Sequence, residues 1–246
     1  MSFENRTIFV TGGASGMGLE TTRILLKRGA NVAIFDRVDV SEQFADMGNR
    51  VITIVGDTSN ADDLRAALKR TTDTFGHLHH AVNAAGITGS LGPILEQSDD
   101  AMDALFAVNI KGIFLAMKLE AELMRQYGGG SIVNFASVYS KGSHPNMVLY
   151  GATKHAVVGL TEGAATEFAQ YGIRVNAVSP GPILTPFIGE VTPDIEASVV
   201  RGIPQARIGK PDEVAKAVVW LLSEEASYIT GANLTIDGGQ SALLAG

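Results

Sequence analysis

A short apolar run, Thr7 to Val10, leads directly into Thr11-Gly12-Gly13-Ala14-Ser15-Gly16-Met17-Gly18, and a helix-forming stretch opening with Leu19-Glu20 follows. Glycines set between a strand and a helix let backbone amides close on an anion such as a pyrophosphate, which then lies at the positive end of the helix macrodipole. The same string can be no more than a tight turn, so its weight comes from its surroundings. Those are an alternation of β-branched runs with amphipathic ones, the pattern of βα units and a parallel sheet. Strands are expected at Thr7 to Val10, Asn31 to Phe35, Val51 to Val55, Leu78 to Val82, Ser131 to Ala136, Arg174 to Val178 and Asn233 to Ile236. Helices are expected near Gly18 to Arg28, Ala61 to Phe75, Asp99 to Tyr127, Leu149 to Gln170 and Pro211 to Leu222. Ile8-Phe9-Val10 and Val32-Ala33-Ile34-Phe35 are unbroken apolar runs, as strands covered on both faces must be. One doubly wound α/β domain over residues 1–246 is the economical reading.

Composition removes most competing classes. With 46% hydrophobic and 18% charged residues the chain is too apolar for disorder, and its 28 glycines show no collagen period. Zero cysteines exclude disulfide scaffolds, thiolate nucleophiles and Cys-ligated metals. A net charge of −7 disfavours general binding to nucleic acid or anionic membranes. No apolar run approaches the roughly 20 residues of a membrane span, and Met1 to Arg6 carries no leader pattern, so a soluble, cytoplasmic protein is expected.

The second strand ends in Asp36, eighteen residues past Gly18. A carboxylate there would accept hydrogen bonds from adenosine ribose hydroxyls and repel a 2′-phosphate, which favours NAD over NADP. Arg37 follows and could hold a phosphate instead. Gly56-Asp57-Thr58 and Asn83-Ala84-Ala85-Gly86 sit at carboxyl ends of strands, where open α/β sheets collect ligands. Asp57 could meet an adenine amino group or simply cap a turn.

Tyr150 and Lys154 are four apart in an expected helix and so share a face. An ammonium there would lower the tyrosine pKa and supply an acid/base group. Ser137, at the end of the fifth strand, could hold a substrate oxygen or serve only a turn. Asn109 lies within Ala107-Val108-Asn109-Ile110, where a poor helix former either makes a structural hydrogen bond or holds a water. His77, His79 and His80 alternate across a strand, so a metal site is not expected.

In this order, Thr11-Gly12-x-x-x-Gly16-x-Gly18, Asn83-Ala84-Ala85-Gly86, Asn109, Ser137, Tyr150-x-x-x-Lys154 and Pro180-Gly181 resemble the short-chain dehydrogenase/reductase family. The resemblance extends through Ile229-Thr230-Gly231 and Asp237-Gly238-Gly239. It implies a Rossmann-type sheet, with Tyr150 as general acid/base and Lys154 on the nicotinamide ribose. It further implies Ser137 orienting the reacting carbonyl or hydroxyl, Asn109 holding a relay water, and Ile183 and Thr185 meeting the carboxamide. Substrate would lie against Ser137, Tyr139, Met147, Tyr150 and Phe187 under a lid from Pro182 to about Arg201. Family members are commonly tetramers built through the helices bearing Asn109 and Tyr150. Ala84 departs from the usual Asn-Asn-Ala-Gly, and His79 stands where many members carry aspartate. The expected activity is hydride transfer between NAD(H) and a small secondary alcohol or ketone. An NADPH-dependent 3-oxoacyl reductase and a catalytically silent dinucleotide sensor are the alternatives; Asp36 and Ser15 count against the first, the complete acid/base set against the second.

Overall fold

In the computed structural model, which describes residues 1–189 and 192–243, the strands are β1 (Thr7–Thr11), β2 (Asn31–Asp36), β3 (Val51–Val55), β4 (His80–Asn83), β5 (Gly130–Phe135), β6 (Ile173–Pro180) and β7 (Asn233–Ile236). They form one sheet in the order β3-β2-β1-β4-β5-β6-β7. Every pairing is parallel, so the sheet expected to be mostly parallel is wholly so. The order reverses between β1 and β4, where Thr11 lies in register with Asn83. The loops that leave these two strands therefore part to opposite faces and open a cleft.

Side chains alternate across the strands and feed two cores. Ile8, Val10, Val32, Ile34 and Val133 pack with Leu25 of α1 (Gly16–Lys27) and Val218 of the last long helix, α7 (Pro211–Leu222). Phe9, Ala33, Phe35 and Ile132 pack beneath α2 (Ala61–Phe75), α4 (Ile113–Met124) and α5 (Val148–Phe168), through Leu64, Met117 and Val157. Each such fully buried aliphatic or Phe side chain contributes roughly 1.5–3 kcal/mol relative to exposure. Local signals set the helix starts. The Asn60 carboxamide accepts from the Asp62 and Asp63 amides at the head of α2, and Glu213 accepts from the Lys210 amide at the head of α7.

Three expectations need correction. The helix expected over Asp99 to Tyr127 is α3 (Asp99–Phe106), a π-helical turn (Ala107–Gly112) and then α4. Asn109 bonds outside the helix, and Gly112 is constrained because a Cβ there would sit 3.2 Å from the Thr58 carbonyl oxygen. The lid holds a helix, α6 (Pro193–Val200), that apolar periodicity did not reveal. Its signal was present: the Thr192 hydroxyl accepts from the Ile195 amide, with Pro193 next and Asp194 and Glu196 in the first turn. Residues 190 and 191 of the lid, and 244–246 of the domain, lie outside the described residues. A 3-10 segment, Ser41–Arg50, interrupted at Gly48, was also missed.

Candidate active site

The glycine loop forms one wall of the cleft. Gly12 has φ +68, and a Cβ there would stand 2.5 Å from the Ala85 amide nitrogen. A Cβ on Gly18 would run into the Gly12 carbonyl oxygen, so helix α1 can press against the loop only without one. Ser15 stands at the N-cap without capping through its side chain, and the first turn of α1 holds no acidic residue. The amides there are left for an external anion, as a pyrophosphate requires. These features fit a dinucleotide.

The cleft brings together Gly12, Ser15, Gly16, Met17, Gly18, Asp36, Arg37, Asp57, Thr58, Ala84, Ala85, Gly86, Tyr150, Lys154, Thr185 and Phe187. Asp36 is tied to the loop, its carboxylate accepting from the Ala14 amide at 3.0 Å and the Val38 amide at 3.2 Å. Arg37 beside it is exposed. One oxygen of Asp57 accepts from both the amide and the hydroxyl of Ser59, which holds its carboxyl below the usual range. The capping use of Asp57 is thus realised in a residue that also lines the cleft. Phe35, Ile87, Val108, Phe135, Ala136 and Pro186, which were not among the expected site residues, complete the lining together with Gly56. Gly56, the strand-end glycine expected beside Asp57, leaves no room for a side chain, since a Cβ there would stand 2.5 Å from the Phe35 ring.

Other expected site residues lie behind the lining. Asn83 is fully buried and bonds Glu120 and Asn134 instead of facing the cleft. Pro180 ends β6, and Gly181 abuts Asp237. Ile183 is buried, bridges to Gly209, and accepts from the Thr185 hydroxyl at 3.2 Å. Met147 is the N-cap of α5, outside the cleft lining.

The groups expected to do acid/base chemistry come from the segment after β5, the π-turn and α5. Tyr150, Ser137 and Lys154 are all buried. The Lys154 ammonium donates to the Phe135 carbonyl at 2.8 Å and sits 5.5 Å from the centre of the Tyr150 ring. The sequence expectation that it lowers the tyrosine pKa is not met here. Burial pushes the phenol up to about 12, with the Ser137 side chain pulling the other way, while burial brings Lys154 down to about 8. The ammonium donates to a carbonyl and lies over the ring, and desolvation prevails. Asn109 makes the structural bonds weighed for it: its amide oxygen accepts from the Ile87 amide, and its nitrogen donates to the Ile87 carbonyl and the Thr153 hydroxyl. Thr153 in turn donates to the Tyr150 carbonyl at 2.8 Å, so Asn109 braces the turn that carries the phenol. The middle of the Tyr150-x-x-x-Lys154 spacing thus carries a group that spacing alone does not mark.

Aromatic rings flank Tyr150: Tyr139 lies 5.9 Å away edge-on, and Phe187 6.2 Å away. Ser137 also accepts from the Tyr139 amide, the turn bond considered for it. His79 accepts from the Thr7 amide and His80 bonds Ser131, so these histidines serve the sheet.

A family model described as "Enoyl-(Acyl carrier protein) reductase" matches residues 12–241. The chain is 37% identical to cyclohexanol dehydrogenase of Acinetobacter sp., covering 96% of this chain and 95% of that protein. It is 34% identical to levodione reductase of Leifsonia aquatica, covering 98% and 96%, and a crystal structure of levodione reductase superposes with TM-score 0.92 over 98% of this chain and 100% of that one. A structure of 3-ketoacyl-(acyl-carrier-protein) reductase from Brucella melitensis complexed with NADH matches at 31% identity and TM-score 0.92, covering 98% and 100%. The chain belongs to the short-chain dehydrogenase/reductase family and is an NAD(P)(H)-dependent oxidoreductase.

Proposed function

We propose that this enzyme passes hydride between NAD(H) and a small, apolar, cyclic secondary alcohol or ketone. The observation that carries the reading is one cleft holding the glycine loop and Asp36 at one end and Tyr150 with Lys154 at the other. Asp36, fixed by two backbone amides, offers its carboxylate where a 2′-phosphate would be repelled, which supports NAD over NADP. The dinucleotide supplies the hydride acceptor or donor. Within the chain, Tyr150 takes the hydroxyl proton during oxidation and returns it during reduction. Ser137 orients the reacting oxygen, and Lys154 adds positive charge beside the nicotinamide ribose.

Tyr139 and Phe187 against Tyr150 favour an apolar substrate body. The names of cyclohexanol dehydrogenase and levodione reductase support a cyclic one. Ile183 and Thr185 are assigned to the carboxamide and Met147 to the outer rim. Phe114 is half exposed beside Phe106, Ile110 and Leu160 on the outer face of the long helices, which supports a homotetramer built there. Among the described residues no helix is long and apolar enough to cross a membrane.

The test is nicotinamide absorbance with a panel of secondary alcohols, offered NAD and NADP separately. Turnover with NAD on cyclic alcohols is expected. Turnover with NADP alone would overturn the Asp36 reading, and turnover only on 3-hydroxyacyl thioesters would replace the substrate class. Light scattering on the purified protein checks the tetramer.

A further inference from the structure

Behind the cleft lies a polar chain that the chemistry above does not use. Glu120, fully buried on α4, accepts a hydrogen bond from the Asn83 amide nitrogen at 3.1 Å. The second hydrogen of that nitrogen goes to the Asn134 amide oxygen at 3.0 Å. Asn134 donates to the Met117 sulfur and the Thr161 hydroxyl, and Thr161 donates to the Val157 carbonyl. Every donor is thus used. Two acceptors remain without a partner, Glu120 Oε1 and Asn83 Oδ1.

An unmet buried acceptor costs roughly 1–3 kcal/mol and an unpaired buried charge costs more. One added proton removes all three penalties: on Glu120 Oε1 it can donate to Asn83 Oδ1 while Asn83 Nδ2 still donates to Oε2. A carboxylic acid and a carboxamide then close a ring of two parallel hydrogen bonds. Exchanging the amide oxygen and nitrogen of Asn83 would set its oxygen against Glu120 Oε2, which again calls for a proton on the acid.

We propose that Glu120 is held as the neutral acid, paired to Asn83 by two hydrogen bonds, and is the positioning residue for the Ala84 to Gly86 wall of the dinucleotide cleft. Asn83 is the last residue of β4, in register with Thr11. The next residues are bound to the same strand, the Ala84 amide to the Thr11 carbonyl at 3.1 Å and the Ala85 amide to the Thr11 hydroxyl at 3.4 Å. Ala85 is the backbone against which Gly12 closes. Ionising Glu120 would set two acceptors against each other directly beneath this wall and loosen it.

Among the described residues no cation is placed to offset that charge. Arg65, Lys69 and Asp73 of α2, Lys111 of the π-turn, Lys118 and Glu122 of α4 and Glu162 of α5 are exposed. Asp63 is bonded to the Asp57 amide, Lys154 to the Phe135 carbonyl and His80 to Ser131. Burial pushes Glu120 up to about 8, opposed only by the Asn83 bond.

The proposal depends on the dinucleotide cleft and not on the substrate proposed above, so it is tested without turnover. Infrared spectra of protein labelled with 13C-glutamate are recorded at neutral pH for wild type and Glu120→Gln. An isotope-shifted protonated carboxyl stretch is expected in the wild type and absent from the variant. NADH affinity, read by its fluorescence, is then followed to about pH 9.5. Wild type should weaken about tenfold relative to Glu120→Gln, near the low end of typical site-to-site coupling. The glutamine can keep both bonds at every pH, whereas Glu120→Leu should weaken binding throughout. The proposal is overturned if the labelled wild type shows only carboxylate bands, or if the wild-type and Gln profiles superimpose. Should the Gln variant not fold, loss of the labelled carboxyl band with rising pH, in step with NADH release, decides in its place; a band that does not move with affinity overturns the proposal.

Discussion

The two halves of the cleft are built from different materials. On the β1–β2 side the recognising surface is mostly backbone: glycines, the first amides of α1, and one carboxylate pinned by two amides. On the β4–β5 side the backbone wall of Ala84 to Gly86 is joined by the buried side chains of Tyr150 and Lys154, with Glu120 behind them, and all three ionisable groups are displaced from their ordinary pKa values by burial. Backbone recognition is set by sterics and does not titrate, whereas desolvated side chains couple the chemistry to pH. The first half should therefore fail by shape and the second by proton.

The sharpest break is Tyr150→Phe. It removes the proton carrier and leaves the cofactor half intact, so turnover should fall about 10²–10⁴-fold while NADH affinity, read by fluorescence, stays within about twofold. Unchanged turnover would refute the role. On the other side, Asp36→Ala should lower the NAD-over-NADP ratio of kcat/KM by the value of a charged hydrogen bond, about 1.5–3 kcal/mol, or tenfold to a hundredfold. Steady-state kinetics with both dinucleotides checks it. Gly12→Ala combines a left-handed φ with a backbone collision, and thermal unfolding of the ligand-free protein should show a loss of about 1–3 kcal/mol at any pH.

The smallest effect at neutral pH separates the halves most cleanly. The folded state favours protonated Glu120, whose pKa is raised from an ordinary 4.5 to about 8. Its contribution to stability is fully present below the ordinary value and is lost as pH rises towards the folded one. The Tm of Glu120→Gln relative to wild type should thus increase between those values and level off above, each kcal/mol reading as roughly 2–4 °C for a chain of this size. A constant difference would show that Glu120 does not titrate in the fold. By the same logic alcohol oxidation, which needs the Tyr150 phenolate, should accelerate with pH above neutrality, and ketone reduction should not; rate profiles in both directions check this.

Local patterns made much of this legible. The strands were readable as short β-branched runs alternating with helical ones, most plainly the unbroken apolar β1 and β2, and the glycine loop because strand, glycines and helix are contiguous. Asp36, Tyr150 and Lys154 stand at positions set by short spacings. What local patterns missed depends on distant partners. The break at Asn109 arises from its bonds to Ile87, twenty-two residues earlier, and the acid–amide pairing from the approach of α4 to the end of β4. Glu120, in the run Lys118-Leu119-Glu120-Ala121-Glu122, looks like an ordinary solvated helix charge. Spacing reports that Lys154 is near Tyr150 but not that its ammonium donates to the Phe135 carbonyl, nor that burial raises the phenol.

By itself the sequence determined the parallel α/β class and the anion-binding turn, because each follows from rules acting within a few residues, while the candidate reacting groups were named by the resemblance of ordered motifs along the whole chain. Only the tertiary structure decided which of those groups face the cleft, which are held neutral and which merely brace the others. Burial and hydrogen-bond completion depend on what packs from other elements, and that is settled by the folded core.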